Sequence, residues 1–153
     1  MKCKSSSVEE EALRKIYSAT GGKNWAFQSN WNSDQPICSW KGITCGDGSQ
    51  NDNEGVTDID LSNNNLVGIL PPEAFSFPSL KSLNVKDNYY LTVTFVGLDM
   101  APFLELLYLS GTNIDNLNGI SYAQNLIELH LTDCGMSGKS SSHATTIVVY
   151  ISV

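Results

Sequence analysis

One apolar pattern recurs four times along the chain and limits the folds that the chain can adopt. Three apolar residues occupy the first, fourth and sixth positions of a short frame, as in Val56, Ile59 and Leu61. Further copies of the frame begin at Leu80, Leu104 and Leu126, so the steps between copies are 24, 24 and 22 residues. A repeat of this length is typical of a solenoid, in which each copy forms one coil and buries its apolar residues against its neighbours.

The position three residues after each frame is polar or small in every copy. It holds Asn64, Asn88, Thr112 and Cys134, and with it the frame is the leucine-rich repeat signature. A tight coil buries backbone N–H and C=O groups, which need partners, and an asparagine amide can both donate and accept hydrogen bonds. We therefore predict a structural ladder that Asn64 and Asn88 form and that Thr112 and Cys134 continue with weaker groups. Two residues further on, we expect core positions at Leu66, Tyr90, Ile114 and Met136.

The repeat predicts the fold class. We expect an α/β solenoid, a right-handed superhelix of four to five coils with a short parallel sheet on its concave side. Residues 148–153 fit a fifth copy of the frame, but the polar run 139–146 lacks the apolar residues that a coil buries. A degenerate fifth repeat and an unrelated tail both stay open, and the bare last coil suggests a fragment or a chain that a partner completes.

The segment before the repeats has a different pattern. Val8, Ala12, Leu13, Ile16 and Tyr17 recur at helical spacing after a capping box of Ser7 and Glu10, and two glycines follow. We predict an amphipathic helix that, with the following tryptophans, covers the first coil. The expected organisation is a disordered leader at 1–7, a cap at 8–55, repeats at 56–136, and a tail or fifth repeat at 137–153.

Several motifs of this segment resemble the N-terminal cap and first repeat of plant-type leucine-rich repeat proteins, such as receptor-like kinase ectodomains and polygalacturonase-inhibiting proteins. They are ALRKIYSATGGKNW at 12–25, Asn30-Trp31, C-x-W-x-G-I-x-C at 38–45 and N-x-L-x-G-x-L-P at 64–71. The resemblance covers roughly residues 9–136, although only the first repeat keeps the complete glycine and proline pattern. It implies a disulfide between Cys38 and Cys45, packing of Trp40 on the cap helix, and a domain that binds other molecules.

Charge and apolar content narrow the range of partners and compartments. A net charge of −7 opposes binding to nucleic acid or anionic membrane and favours a protein, peptide or glycan ligand. The longest apolar run, at 147–153, is too short to span a membrane. No secretory signal precedes the cap, yet the implied disulfide belongs to an oxidising compartment. We interpret the chain as a cell-surface or secreted module with an incomplete start; an intracellular scaffold or a truncated structural fragment is the alternative.

The candidate binding residues lie on the strand positions that point away from the core. Neighbouring strands place Leu106 beside Glu128 and Tyr108 beside His130, and we predict that these four side chains contact a ligand. His130 has too few neighbouring ligands for a metal or acid–base site, and the acidic loop 47–54 lacks the glycine of an EF-hand. We therefore expect no enzymatic activity, no metal and no cofactor. The sequence carries no signal for the oligomeric state.

Overall fold

The computed structural model describes residues 7–46, 55–136 and 148–150, and its order of elements follows the predicted cap and repeats. One α-helix, α1, spans Ser7–Ala19, and short 3-10 helices span Gly22–Asn24, Ile37–Ser39, Pro72–Phe75, Leu98–Met100 and Ile120–Tyr122. The strands are β1 (Ile43–Cys45), β2 (Val56–Asp60), β3 (Val67–Ile69), β4 (Ser82–Asn84), β5 (Tyr90–Val93), β6 (Leu106–Tyr108), β7 (Asn113–Ile114), β8 (Glu128–His130), β9 (Gly135–Met136) and β10 (Val148–Tyr150).

The strands form two sheets, of which the larger has the order β1-β2-β4-β6-β8-β10. Its four inner strands are parallel and in register, one from each copy of the apolar frame. This confirms the predicted parallel strands. The inner positions Ile59, Leu83, Leu107 and Leu129 pair across neighbouring strands and are all buried. We call the outward side of these four strands the concave face.

Both end strands of the large sheet run against their neighbours. β1 pairs antiparallel with β2, which joins the cap to the repeats, and β10 pairs antiparallel with β8. Residues 148–150 therefore do form a strand, but its direction is opposite to that of a fifth repeat. The polar run 139–146 lies outside the described residues.

A second sheet, of order β3-β5-β7-β9, lies after the ladder positions and is entirely parallel. The sequence pattern did not predict it. Here the expected core position Tyr90 is wrong, because its side chain is 72% exposed and Leu91 is buried instead. Val67 pairs with Tyr90, so the second coil has one residue fewer than the first between its asparagine and this strand. That shortening turns Tyr90 outward, since side chains alternate along a strand.

The cap helix packs on the first coil, with one change from the predicted apolar face. Ala12, Leu13 and Ile16 are buried as expected, whereas Val8 is 62% exposed and the neighbouring Glu9 is buried. One carboxylate oxygen of Glu9 lies 3.3 Å from the backbone N–H of Val56, which donates to it at the start of β2. Glu9 is turned inward at the start of the helix because the N–H of Val56, at the start of β2, needs a hydrogen-bond acceptor there.

An aromatic cluster joins the helix to the rest of the cap. The ring of Trp31 lies within 6.1 Å, centroid to centroid, of the rings of Tyr17, Trp25 and Trp40. The guanidinium of Arg14 on the helix lies 5.3 Å from the Trp40 ring, as a cation–π contact requires. These contacts fasten α1 to the segment that carries the two cysteines of the motif.

The cysteine motif forms a small closed loop on the first strand. Cys38 and Cys45 are disulfide-bonded, with Cα atoms 5.6 Å apart. Between them, Gly42 has a φ of 86°, and a Cβ there would collide with the carbonyl oxygen of Asp60. Only glycine fits this close approach of the loop to β2. Among the residues that the structure describes, no helix has the length and apolar content needed to cross a membrane.

Candidate ligand-binding site on the concave face

The register of the parallel strands places the candidate residues in two columns across the coils. Asp58, Ser82, Leu106 and Glu128 pair in one column, and Asp60, Asn84, Tyr108 and His130 pair in the other. The pairings are those that the sequence frame predicts, because parallel strands in register repeat the same side-chain direction in every coil. Leu106, Tyr108, Glu128 and His130 are all partly accessible to solvent.

Three of these residues form a connected group, which we call the Tyr108 cluster: Tyr108, Glu128 and His130. The hydroxyl of Tyr108 donates to Oε2 of Glu128 over 3.1 Å, and Nε2 of His130 lies 3.2 Å from the same oxygen. The Tyr108 and His130 rings are 4.7 Å apart, centroid to centroid, at an angle of 48°. The side chains therefore hold one another in place on two neighbouring coils.

The electrostatics of the cluster keep Tyr108 protonated. Partial burial raises the pKa of Tyr108, and the hydrogen bond to Glu128 and the negative charge of that carboxylate raise it further. A phenol in this environment donates a hydrogen bond and does not act as a base at neutral pH. Sequence reasoning predicted the columns but missed this diagonal contact, which depends on side-chain rotamers rather than on strand register.

An open depression of about 410 Å³ lies beside the cluster, where the strands of the concave face end. Tyr108 and His130 form part of its wall, whereas Leu106, at the start of β6, does not. The remaining wall residues come from the turns that follow the strands: Lys86, Asp87, Tyr89, Ser110, Gly111, Thr132 and Asp133. Sequence reasoning did not select them, although all but Tyr89 occupy two equivalent positions in successive repeats.

The ladder positions follow the strands of this surface, and among them Asn88 makes the most hydrogen bonds. Its side chain is buried; Oδ1 accepts the backbone N–H groups of Asn64 and Leu66 over 3.0 and 2.9 Å. Its Nδ2 donates to the carbonyls of Leu61, Val85 and Lys86. Asn88 thus completes the turn of the preceding coil as well as its own.

The side chains at the other three ladder positions have different hydrogen-bond partners. Asn64 bonds the cap, with Oδ1 accepting the Phe27 N–H over 2.6 Å and Nδ2 donating to the Phe27 carbonyl over 3.0 Å. The Thr112 hydroxyl donates to the Leu109 carbonyl in its own coil over 2.7 Å. The Cys134 thiol donates to that same carbonyl, in the preceding coil, over 3.3 Å.

Cys134 is half-buried rather than fully buried, and its pKa is raised chiefly by burial. A raised pKa keeps the sulfur in the thiol form, which can donate a weak hydrogen bond but is a poor nucleophile. Within the described parts of the chain, no group of three His, Cys, Asp or Glu side chains is placed to hold a metal ion. Cys3, His143 and the acidic loop 47–54 lie outside the described residues.

Comparisons with known proteins match the cap and the first repeat to separate family models. Residues 6–46 match the leucine rich repeat N-terminal domain, and residues 55–77 match the leucine rich repeat. A putative receptor-like protein kinase of Arabidopsis thaliana is 30% identical over 83 residues, which is 54% of this chain and 8% of the kinase. The chain therefore spans a small part of the length of this curated relative.

Solved structures from the same plant share the fold. The BIR2 ectodomain matches 84% of this chain and 68% of its own with a TM-score of 0.72 and 20% identity. The leucine-rich repeat ectodomain of the receptor kinase HAESA, solved with an extended IDA peptide hormone ligand, matches 84% of this chain and 21% of its own. Its TM-score is 0.65 at 22% identity. These identities support the fold alone.

Proposed function

We propose that this chain, a leucine-rich repeat domain similar to the ectodomains of plant receptor-like kinases, recognises a peptide or protein through its concave face. The observation that carries the proposal is the Tyr108 cluster, in which an aromatic pair and a carboxylate are fixed beside an open depression. Aromatic anchors inside a polar rim are typical of residues that contribute most to binding. Leu106 pairs with Glu128 across neighbouring strands, and it adds an apolar contact on the other side of the cluster.

Recognition rather than catalysis follows from the chemistry of these side chains. The hydroxyl of Tyr108 is held protonated, and Glu128 already accepts two hydrogen-bonding contacts. We therefore infer a non-enzymatic binding module that needs no cofactor. The solved HAESA ectodomain, whose structure contains a peptide hormone, supports a peptide as the ligand class.

The cap disulfide supports an extracellular or cell-surface location for this module. Disulfides of this type form and persist in oxidising compartments, and Cys38 and Cys45 are bonded in the cap. We further propose that the repeats form a right-handed superhelix of four coils, closed by antiparallel strands at both ends of the large sheet. In that arrangement the cluster lies on the last two coils, away from the cap.

The proposal can be tested by selecting ligands on the intact domain. A phage-displayed library of random peptides is panned on the wild-type domain, and the affinities of the selected peptides are measured by calorimetry. Tyr108→Ala should weaken these peptides by about 1 kcal/mol or more, as expected of a binding hot spot. Tyr90→Ala is the matched control, because Tyr90 is an exposed tyrosine on the second sheet, and it should leave the affinities unchanged.

Two outcomes would overturn the proposal. Selected peptides that bind Tyr108→Ala as tightly as the wild type but lose affinity for Tyr90→Ala would move recognition to the second sheet. A selection that enriches no peptide with Tyr108-dependent affinity would remove peptide recognition by the concave face.

A further inference from the structure

We propose that the Tyr108 cluster and the adjoining depression accept a basic side chain, the guanidinium of arginine or the ammonium of lysine, from the peptide ligand. This inference rests on the proposed function and names the ligand chemistry at the same site. It is carried by the geometry of Glu128, by the charges on the wall of the depression, and by the arrangement of the two rings.

Glu128 is oriented so that it can take a further partner. Its two contacts, from the Tyr108 hydroxyl and from His130 Nε2, both reach Oε2. Among the described residues, this leaves Oε1 available to a ligand donor. A carboxylate held in this way loses little conformational freedom on binding, and hydrogen bonds between ions are stronger than those between neutral groups.

The rim of the depression is also acidic on balance. Asp87 and Asp133 contribute two carboxylates to its wall, against one ammonium from Lys86. Asp87 lies directly over the next coil, because a Cβ added to Gly111 would stand 3.1 Å from Asp87 Oδ1. An anionic ligand group would be repelled by these two carboxylates and by Glu128 of the adjoining cluster, whereas a cation would be attracted.

The aromatic rings favour a cation over a neutral polar group. Tyr108 and His130 are 4.7 Å apart and tilted, and Tyr89, which is 66% exposed, borders the same depression. A cation placed over a tyrosine face gains a cation–π attraction in addition to its ion pair, and this gain is absent for an uncharged side chain. The carboxylate and the phenol ring therefore select for the same ligand charge.

The experiment uses two small probes of nearly equal shape, N-acetyl-arginine amide and N-acetyl-citrulline amide. The citrulline probe replaces the guanidinium with a neutral urea group. Each probe is titrated into the wild-type domain at one fixed pH, and binding is followed by the aromatic NMR signals of Tyr108 and His130. The signal of Tyr122, an exposed residue of the 3-10 helix Ile120–Tyr122 that is not part of the wall, serves as the internal control.

We expect the arginine probe to give saturable shifts of Tyr108 and His130, with an affinity about tenfold or more above that of the citrulline probe. Glu128→Gln should remove about tenfold of the arginine affinity and leave the citrulline affinity unchanged. Asp99→Asn, which neutralises an exposed carboxylate on the 3-10 helix Leu98–Met100, should change neither affinity. Thermal melts of both variants establish that they fold.

Equal shifts by both probes, or an arginine affinity that Glu128→Gln leaves intact in a folded protein, would overturn the inference. The outcome is distinguishable from failure of the proposed function. Selected peptides whose affinity depends on Tyr108 but not on a basic residue would refute the ligand chemistry and leave peptide recognition standing. Arginine binding without any Tyr108-dependent peptide would support the ligand chemistry and refute peptide recognition through the concave face.

Discussion

Replacing Asn88 by alanine should be among the most destabilising single changes on the polar side of the fold. The side chain is 1% exposed, and it makes five hydrogen bonds to the backbone of two coils. Alanine would leave the N–H groups of Asn64 and Leu66 without an acceptor, since both donate to Oδ1. It would also remove the donor for three carbonyls.

The expected cost follows from the number of buried groups left without partners. Each buried donor or acceptor that loses its partner costs about 1 to 3 kcal/mol. Two orphaned N–H groups and partly compensated carbonyls give about 3 to 5 kcal/mol, a large part of the about 5 to 15 kcal/mol that stabilises a typical domain. Asn64→Ala removes only two bonds, both to Phe27 on the part-buried cap side, so it should cost about 1 to 2 kcal/mol.

Urea unfolding measures these differences, followed in parallel by far-ultraviolet circular dichroism and by the fluorescence of the cap tryptophans. Asn84→Ala is the matched control, because its side chain accepts one exposed hydrogen bond, from the Lys86 N–H over 3.2 Å; it should cost less than about 1 kcal/mol. The reasoning is refuted if Asn88→Ala costs no more than Asn64→Ala, since both lie at the same position of the repeat.

Three further changes test other parts of the structure. Leu107→Ala should lower the free energy of unfolding by about 2 to 5 kcal/mol as a core truncation. Tyr108 is half-buried, so Tyr108→Ala should lower it by about 1 kcal/mol. Urea unfolding that shows the reverse order would mean that β6 faces the other way. Burial raises the pKa of Glu9, so its charge costs stability above the folded pKa, and this cost disappears as the pH falls through the folded and then the unfolded pKa. Glu9→Gln should therefore raise the melting temperature at neutral pH and less so near about pH 4, and an equal shift at both pH values would contradict this cause. Replacing Cys38 and Cys45 by serine should cost about 2 to 3 kcal/mol by loop-closure entropy, and calorimetric melting that shows no loss would mean that the disulfide contributes nothing to the cap.

The apolar frame predicted the large sheet because the chain repeats a side-chain direction every coil. Leu83 and Leu107 lie in register in the core, and the residues beside them form the predicted columns. Helical spacing was less informative at the start of α1, where it predicted that Val8 rather than Glu9 is buried. The N–H of Val56, which is 47 residues distant from Glu9, decided that position, and local periodicity carries no information about such a partner.

Other features depend on backbone geometry that the residue pattern does not contain. Leu91 is buried in place of Tyr90 because one residue is missing before β5 relative to β3. β10 pairs antiparallel with β8, and a matching apolar frame does not distinguish an antiparallel strand from a repeat. The sequence placed Tyr108 near His130, but the bond from Tyr108 to Glu128 requires a rotamer that only packing selects.

The direction in which the ladder bonds run has a consequence for synthesis on the ribosome. Asn88 satisfies the N–H of Asn64, which lies 24 residues earlier, and Cys134 reaches back 25 residues to Leu109. The turn of the first coil therefore lacks these partners until Asn88 of the following coil has emerged. Domains generally fold from the N-terminal side during synthesis, at about 5 to 20 residues per second. Folding of the first coil should consequently lag about one coil behind its translation, and a ribosome stalled before Asn88 would hold that turn incomplete.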